Sequence, residues 1–267
     1  MEEYFKGNKL YGDDFTMAEI LQWYKEEEEA YANLALQQNK PYRYKYHKVN
    51  KIHAFNKLKH LHFKHALGFG AAFGEEFIPI ICQIDQITIV EPSEQLRSQK
   101  IGHLTPTYVK PDVKGDLPFA NDTFDLITCL GVLHHICNVS FVLSELIRVL
   151  SPGGYLIIRE PIISMGDWRK PRPGLTKNER GIPVTLFKNI FNQQGVVIVS
   201  ESYLFTLNYH FDKLYSKFFD SSINENMLYL YFDKFLSSLT KMNLHYHATS
   251  RWQRIAPNAA YFIVKKE

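Results

Sequence analysis

Paired cysteines are missing from this sequence. Its three cysteines, Cys82, Cys129 and Cys137, are odd in number and include no C-x-x-C pair. A disulfide framework or a structural zinc is therefore not expected, no metal site is assigned, and a reducing compartment is the simpler setting. Long apolar runs are also missing, so no membrane span is expected. The opening MEEYFKGNKL lacks the basic-then-apolar order of a signal peptide, and the expected location is the cytoplasm. Strong charge is the third absence. A formal net charge of +3 is too small to argue for a nucleic-acid partner.

What is present is an ordinary apolar content with an unusual share of rings. Phe and Tyr number 19 and 16 in 267 residues, which calls for an aromatic core or a stacking cleft. The chain length suits one α/β domain with an elaborated cap.

Residues 1–40 read as an acidic helical extension. Ile20, Leu21, Tyr24, Tyr31 and Leu34 recur at helical spacing around the EEEE run at 26–29, a run read as a solvated face. In 45–65, Val49, Ile52, Phe55, Leu58 and Leu61 recur every three residues among lysines and histidines. That predicts an amphipathic helix with a basic outer face. RNA binding is the alternative, and core packing is the reading adopted.

Strand and helix patterns then alternate. Strands are predicted at His65–Phe69, Gln86–Val90, Thr107–Lys110, Phe124–Cys129 and Tyr155–Arg159. Helices are predicted at Phe77–Cys82 and Val139–Leu150, the latter stopped by SPGG. A helix at Leu186–Gln194 and strands at Val196–Ser200 and Ala260–Lys265 complete the pattern. Alternation of this kind builds a parallel sheet with crossover helices. Between the last two strands lies a long aromatic insertion, about 203–257, expected to be largely helical. The expected division is a helical cap over 1–50 and one domain over 51–267.

The first strand runs into Gly70-Ala71-Ala72-Phe73-Gly74. Small residues there let the backbone approach a ligand and permit positive φ. The second strand ends in Glu91, 17 residues after Gly74. A nucleotide fold places at this point an acid that can accept both hydroxyls of a ribose diol. Nicotinamide dinucleotides and S-adenosylmethionine both satisfy this geometry.

Four stretches separate them: ALGFGAAFG, IVEPSEQL, DVKGDLPFANDTFDLITCLGVLHHI and VLSELIRVLSPGGYLIIREP. Taken together, they make the chain similar to class I S-adenosylmethionine-dependent methyltransferases, close to the type 11 group, over roughly 62–200. The resemblance implies a Rossmann-like, seven-stranded, mostly parallel sheet with helices on both faces, and S-adenosylmethionine as cofactor. It implies that Gly70, Ala72 and Gly74 line the methionine and ribose portion and that Glu91 holds the ribose. Asp112 and Val113 would meet the adenine, Leu130 and Gly131 would pass beneath the cofactor, and Leu133 and His134 would flank its pocket. Gly68 departs from the pattern, standing where the family commonly has an acid. Ala72 replaces a middle glycine, and the segment from Asp112 to LPF is one residue longer than usual. Shorter pieces, KLYGDDFTMAEILQWYKEEEEAYANL and GDWRKPRPGLTKNERGIP, resemble methyltransferases of bacterial polysaccharide or sugar-modifying gene sets.

Methyl transfer to a hydroxyl needs a general base. His134, His135 and Glu160 stand at the carboxyl ends of predicted strands, and His210 opens the insertion. Two alternatives are structural: a His pair that only packs beside the cofactor, and a Glu160–Arg159 ion pair at a strand end. The acceptor pocket is expected from the N-terminal helix and the aromatic insertion. Its expected occupant is a small molecule, a sugar, nucleotide-sugar or glycan. Arg169, Lys170, Arg172, Lys177 and Arg180 would suit an acidic group on it; a solvated loop is the alternative. The aromatic stripe is read as core or as a homodimer contact. A non-catalytic methyltransferase-like scaffold, motivated by Gly68, and a nicotinamide-dependent oxidoreductase are the competing functions. The oxidoreductase would want a proton donor such as Tyr-x-x-x-Lys, and neither Tyr42 nor Tyr108 has a lysine four residues on.

Overall fold

The computed structural model describes residues 1–37, 43–172 and 174–267, with side chains in the N-terminal helix described as far as Glu27. The side chains at the expected apolar positions Tyr31 and Leu34, and the whole of Pro173 in the basic loop, lie outside the description.

Seven strands form one sheet: β1 (Phe63–Phe69), β2 (Ile84–Val90), β3 (Thr107–Val109), β4 (Phe124–Leu130), β5 (Leu150–Pro161), β6 (Val196–Leu204) and β7 (Ala259–Lys266). Their order is β3-β2-β1-β4-β5-β7-β6. Neighbours from β3 to β5 pair parallel, and β7 runs antiparallel to both β5 and β6. This is the Rossmann-like arrangement expected. The chain reverses its direction of travel between β1 and β4, and ligands of open α/β sheets bind at that switch, beyond the carboxyl ends of the strands.

The strand sequences explain the burial. FDLITCL and IDQITIV are nearly continuous apolar, β-branched runs, as strands covered on both faces must be. One face packs Leu67, Ile127, Cys129 and Ile158 against the helix α4 (Val139–Val149) and α5 (Val184–Gln193). The other packs Ala66, Leu126 and Ile157 against α3 (His47–His53) and a 3₁₀ segment at Glu75–Gln83.

Four boundaries differ from expectation. The amphipathic helix ends at His53 and a short 3₁₀ turn at Phe55–Lys57 follows, so the three-residue apolar repeat spans two elements. Val49, Ile52, Phe55 and Leu58 are nonetheless buried, which fits the packing reading. The segment after the glycine loop is 3₁₀, with Pro79 inside it and unable to donate in an α-helical ladder. The strand after α4 begins at Leu150, and SPGG belongs to it as a bulge: Phe124 pairs Leu150, and Leu126 already pairs Tyr155. Strand β6 continues to Leu204.

The N-terminal α1 (Glu2–Phe5) and α2 (Met17–Gln37) precede α3. The segment between them caps α4: Asp13 accepts the Ser140 amide at 2.8 Å and its hydroxyl at 2.5 Å, placing a carboxylate at a helix N-terminus. The aromatic insertion folds as α6 (Asn208–Tyr215) and α7 (Met227–Thr240) between β6 and β7. Among the described residues, no helix is long and apolar enough to cross a membrane.

Candidate active site

The glycine loop leaves β1 at the switch point. Gly70, Ala72 and Gly74 all have positive φ, at 65°, 47° and 70°. A Cβ on Gly70 would stand 2.6 Å from Val132, and one on Gly74 2.1 Å from Ile101. Both positions therefore require glycine for packing as well as for backbone conformation.

Glu91 emerges beyond β2, 4% exposed. Its Oε2 accepts the Ala72 amide at 3.1 Å and its Oε1 the Ser93 amide at 3.0 Å. The carboxylate thus clamps the loop to the second strand. Burial raises its pKa, against the pull of the two amides. Each oxygen retains a lone pair, so the donor set fits a vicinal diol.

Gly68 has no room for an acid. A Cβ there would meet Ala71 at 2.7 Å and the ring of Phe77 at 2.9 Å. A different carboxylate stands nearby. Glu76 is buried against Thr128, the β4 partner of Gly68 in register, and its Oε1 has no hydrogen-bond partner among the described residues. Burial pushes Glu76 up to about 7. The same face holds Arg159, which donates to Asn50 at 3.1 Å and to the Leu130 carbonyl at 2.9 Å, and stacks on Tyr46. Sequence reasoning missed Glu76 and Asn50. Neither a motif nor a regular period marks which side chain of the 3₁₀ segment turns inward.

Beyond β4, Gly131 has φ 82° and donates to the Arg159 carbonyl at 2.7 Å. Leu130 and Leu133 are buried, Leu133 within the core beneath the loop. Asp112 is exposed and accepts the Lys114 amide at 2.7 Å in its own turn, with Val113 half-buried beside it.

The His pair follows in a 3₁₀ turn, Leu133–His135, held from β5. Glu160, 1% exposed, accepts the amides of Val132 and Leu133 at 2.7 and 2.8 Å and His134 Nδ1 at 2.7 Å. Burial raises the Glu160 pKa, but the His134 ring and the two amides outweigh it and keep the group ionised. An ion pair with Arg159 is not formed. Adjacent residues on a strand point to opposite faces, and Arg159 serves the α3 side. His134 Nε2 lies 3.6 Å from Glu179 Oε1, beyond hydrogen-bond reach. His135 bonds Glu27 at 3.0 Å. Burial lowers the His135 pKa, yet the Glu27, Glu179 and Glu160 carboxylates raise it overall.

A cavity of about 540 Å³ opens over the carboxyl ends of β4 and β5, between Tyr46 and Phe205. His134, Glu160, Arg159, Gly131 and Asn258 contribute its polar wall. Phe205 and Asn258 bring the insertion side to it, as expected, and Tyr46 comes from just ahead of α3, whereas no described residue of the N-terminal helix α2 lines it. The basic loop does not reach it. Arg180 is fully buried and donates only to backbone carbonyls, of Tyr11, Leu133, His134 and Cys137. Arg172 likewise caps Met165, Thr176 and Lys177, while Arg169 pairs Asp167 and Lys177 pairs Glu26. The five groups expected to hold an anion therefore do not converge on the cavity: Arg172 and Arg180 serve backbone carbonyls, and Arg169, Lys170 and Lys177 lie exposed at the surface.

Comparison with known proteins agrees with this geometry. Residues 67–158 match the sequence profile of a methyltransferase-domain family. A tRNA U34 carboxymethyltransferase of Campylobacter curvus is 34% identical over 84 residues, 30% of this chain and 28% of that one. A ubiquinone/menaquinone biosynthesis C-methyltransferase of Idiomarina loihiensis is 31% identical over 93 residues, 34% of this chain and 36% of that one. The chain thus spans about a third of the length of the curated relatives it matches. A solved S-adenosylmethionine-dependent methyltransferase structure from Listeria monocytogenes superposes with a TM-score of 0.52 at 13% identity, covering 80% of this chain and 97% of that one. A methyltransferase structure from Bacillus halodurans gives 0.51 at 15%, covering 80% and 98%. Residues 67–158 thus match a methyltransferase domain, and the fold around them is that of solved S-adenosylmethionine-dependent methyltransferases.

Proposed function

We propose that the whole chain is a methyltransferase that moves a methyl group from S-adenosylmethionine to a hydroxyl of a small, ring-shaped acceptor, a sugar or nucleotide-sugar. Glu91 and the amides of the 70–74 loop would hold the ribose, and Leu130 and Gly131 would underlie the cofactor. The cofactor supplies an activated methyl on a sulfonium centre. What remains for the protein is alignment, exclusion of water and removal of the acceptor proton.

The observation that carries this reading is the Glu160–His134 pair in the cavity wall, at 2.7 Å. With Nδ1 donating to an ionised carboxylate, the lone pair is on Nε2, the nitrogen free to take a proton. Glu160 is a positioning residue, since all its contacts go to His134 and the turn. Tyr46 and Phe205 offer ring faces for stacking, and Asn258 offers hydroxyl recognition. The two curated relatives match only a third of the chain, the part that carries the cofactor loop. Their acceptors therefore do not bear on this cavity, whose Tyr46, Phe205 and Asn258 lie outside residues 67–158.

Calorimetric titration with S-adenosylmethionine and, separately, NADH tests the cofactor. Saturable binding of the first alone is expected, and its loss in Glu91→Ala with the fold retained. Binding of neither would leave the scaffold reading. Methyl incorporation into a panel of nucleotide-sugars then tests the acceptor, with His134→Ala expected to lower kcat 10²–10⁴-fold, the usual contribution of a general base.

A further inference from the structure

Helix α7 is mounted the wrong way round for a surface helix. Its buried face carries Leu230, Asp233 and Ser237. Asp233 accepts the amides of Phe205 and Thr206 at 2.7 and 3.2 Å, and Ser237 and Thr240 bond the Thr206 hydroxyl at 2.8 and 3.0 Å. These polar groups hold the helix to the segment just after β6, with Leu230 packed into the core beside them. The apolar side faces outward: Leu228 is 84% exposed, Phe235 64% and, just past the helix, Met242 91%, with Tyr231, Phe232 and Leu239 between them. A lone surface helix shows the reverse arrangement.

From these six residues, at about 200 Å² for a fully exposed large side chain, the exposed area comes to roughly 800 Å². The largest patch on a typical monomer is about 300–600 Å². A standard interface buries about 800 Å² per partner, so this surface is large enough for a stable pairing. Residues 208–242 hold Lys213, Lys217, Lys234 and Lys241 against Asp212, Asp220 and Glu225, with Asp233 buried on the inner side. Such a mixed set of charges is not the lysine-dominated face that would meet an anionic membrane or a nucleic acid, and the size and period of the stripe select the occupant.

We propose that this surface pairs with a second copy of the same chain, α7 against α7, antiparallel about a two-fold axis at Phe235. The stripe is built for it. Leu228 and Phe235 recur at seven residues along α7 and Met242 follows seven further on in the 3₁₀ turn Lys241–Asn243, with Tyr231, Phe232 and Leu239 filling the intervening turns, the period of a helix–helix seam. Because 228 and 242 lie equidistant from 235, antiparallel pairing sets Phe235 against itself and Leu228 against Met242 of the partner subunit. That self-complementarity is what a two-fold interface requires. The pairing also braces the cavity: Asp233, on the inner side of the same helix, fixes the backbone of Phe205, which lines it. This surface does not depend on the methyl-transfer reading, so the two fail separately.

Sedimentation velocity of the full chain over 1–100 µM, as orders of magnitude around interface affinities, should show a species of twice 31.2 kDa. Phe235→Glu, which places like charges on the axis, should sediment as a monomer with an unchanged circular dichroism spectrum. A cysteine map fixes the register. In a Cys82→Ser background, which removes the exposed thiol, Phe235→Cys should cross-link to itself on mild oxidation. Leu228→Cys should cross-link only when mixed with Met242→Cys. A monomeric wild-type chain, a dimer insensitive to Phe235→Glu, or a monomer that instead co-sediments with phosphatidylcholine vesicles would each overturn the proposal.

Discussion

Gly68 sits where the resembled family carries an acid, and the structure explains why no acid could stand there. Ala71 and the buried Phe77 ring close the space a side chain would need. Gly68→Asp should therefore not strengthen cofactor binding. It should cost about 1–3 kcal/mol of stability through overpacking, with more from an unpaired carboxylate. Thermal unfolding checks this, and an undiminished melting temperature with tighter binding would reverse the reading. Glu76 is the carboxyl that does occupy this face. Its folded-state pKa of about 7 lies above its ordinary 4.5, so the folded state keeps a proton that the unfolded state loses. That contribution is complete below pH 4.5 and is lost progressively as pH rises to about 7. Glu76→Gln, which cannot ionise, should remove this slope. Relative to wild type it should gain roughly 3 kcal/mol between pH 4 and pH 8, read as diverging urea midpoints. Parallel midpoints would show that Glu76 titrates alike in the folded and unfolded chain. The sequence offered no way to choose Glu76 over Glu75 as the inward residue. A 3₁₀ segment interrupted by Pro79 has no 3.6-residue period to read.

Strands were the most legible elements, and the reason is their burial on both faces. QITIV, FDLITC and AYFIVK have few polar positions, so composition alone locates them to within a few residues. The glycine loop and Glu91 were legible because their residue types are forced: positive φ at Gly70 and Gly74, and a carboxylate beyond β2. SPGG was read as a turn because Pro and Gly ordinarily punctuate, yet here they form a bulge inside β5. Gly153 has φ 79° with open space around it, and Gly154 is packed, its Cβ position 2.9 Å from Leu150 and from the Ser151 carbonyl. The two glycines therefore respond differently to substitution. Gly154→Ala should destabilise by about 1–3 kcal/mol from crowding, and Gly153→Ala by about 1 kcal/mol from backbone conformation alone. Equal losses at the two positions would contradict the bulge geometry. The basic loop was the least legible element. Arginines in a Pro- and Gly-containing stretch look solvated or anion-binding, and nothing local shows that Arg180 turns into the protein.

Across the whole molecule, Arg180 ties together parts that are far apart in the chain. Its guanidinium, stacked on Trp23, gathers carbonyls from the N-terminal segment and from the turn that presents His134. The extension therefore braces the turn that presents His134, and it adds its own clasp where Trp23 donates to the His135 carbonyl at 2.7 Å. A planar fork reaches four carbonyls at once; a lysine ammonium has three donors on a single atom and cannot span them. Arg180→Lys keeps the charge and removes the span. It should cost about 3 kcal/mol, the scale of a buried charged group left with unmet partners, which in a chain of this size lowers the melting temperature by roughly 5–10 °C. Because two of the four carbonyls belong to Leu133 and His134, the same change should lower kcat more than it raises the KM for cofactor. The loop that holds Glu91 is untouched by it. A fall in stability with kcat unchanged would mean that the turn keeps His134 in place unaided, through Glu160 alone.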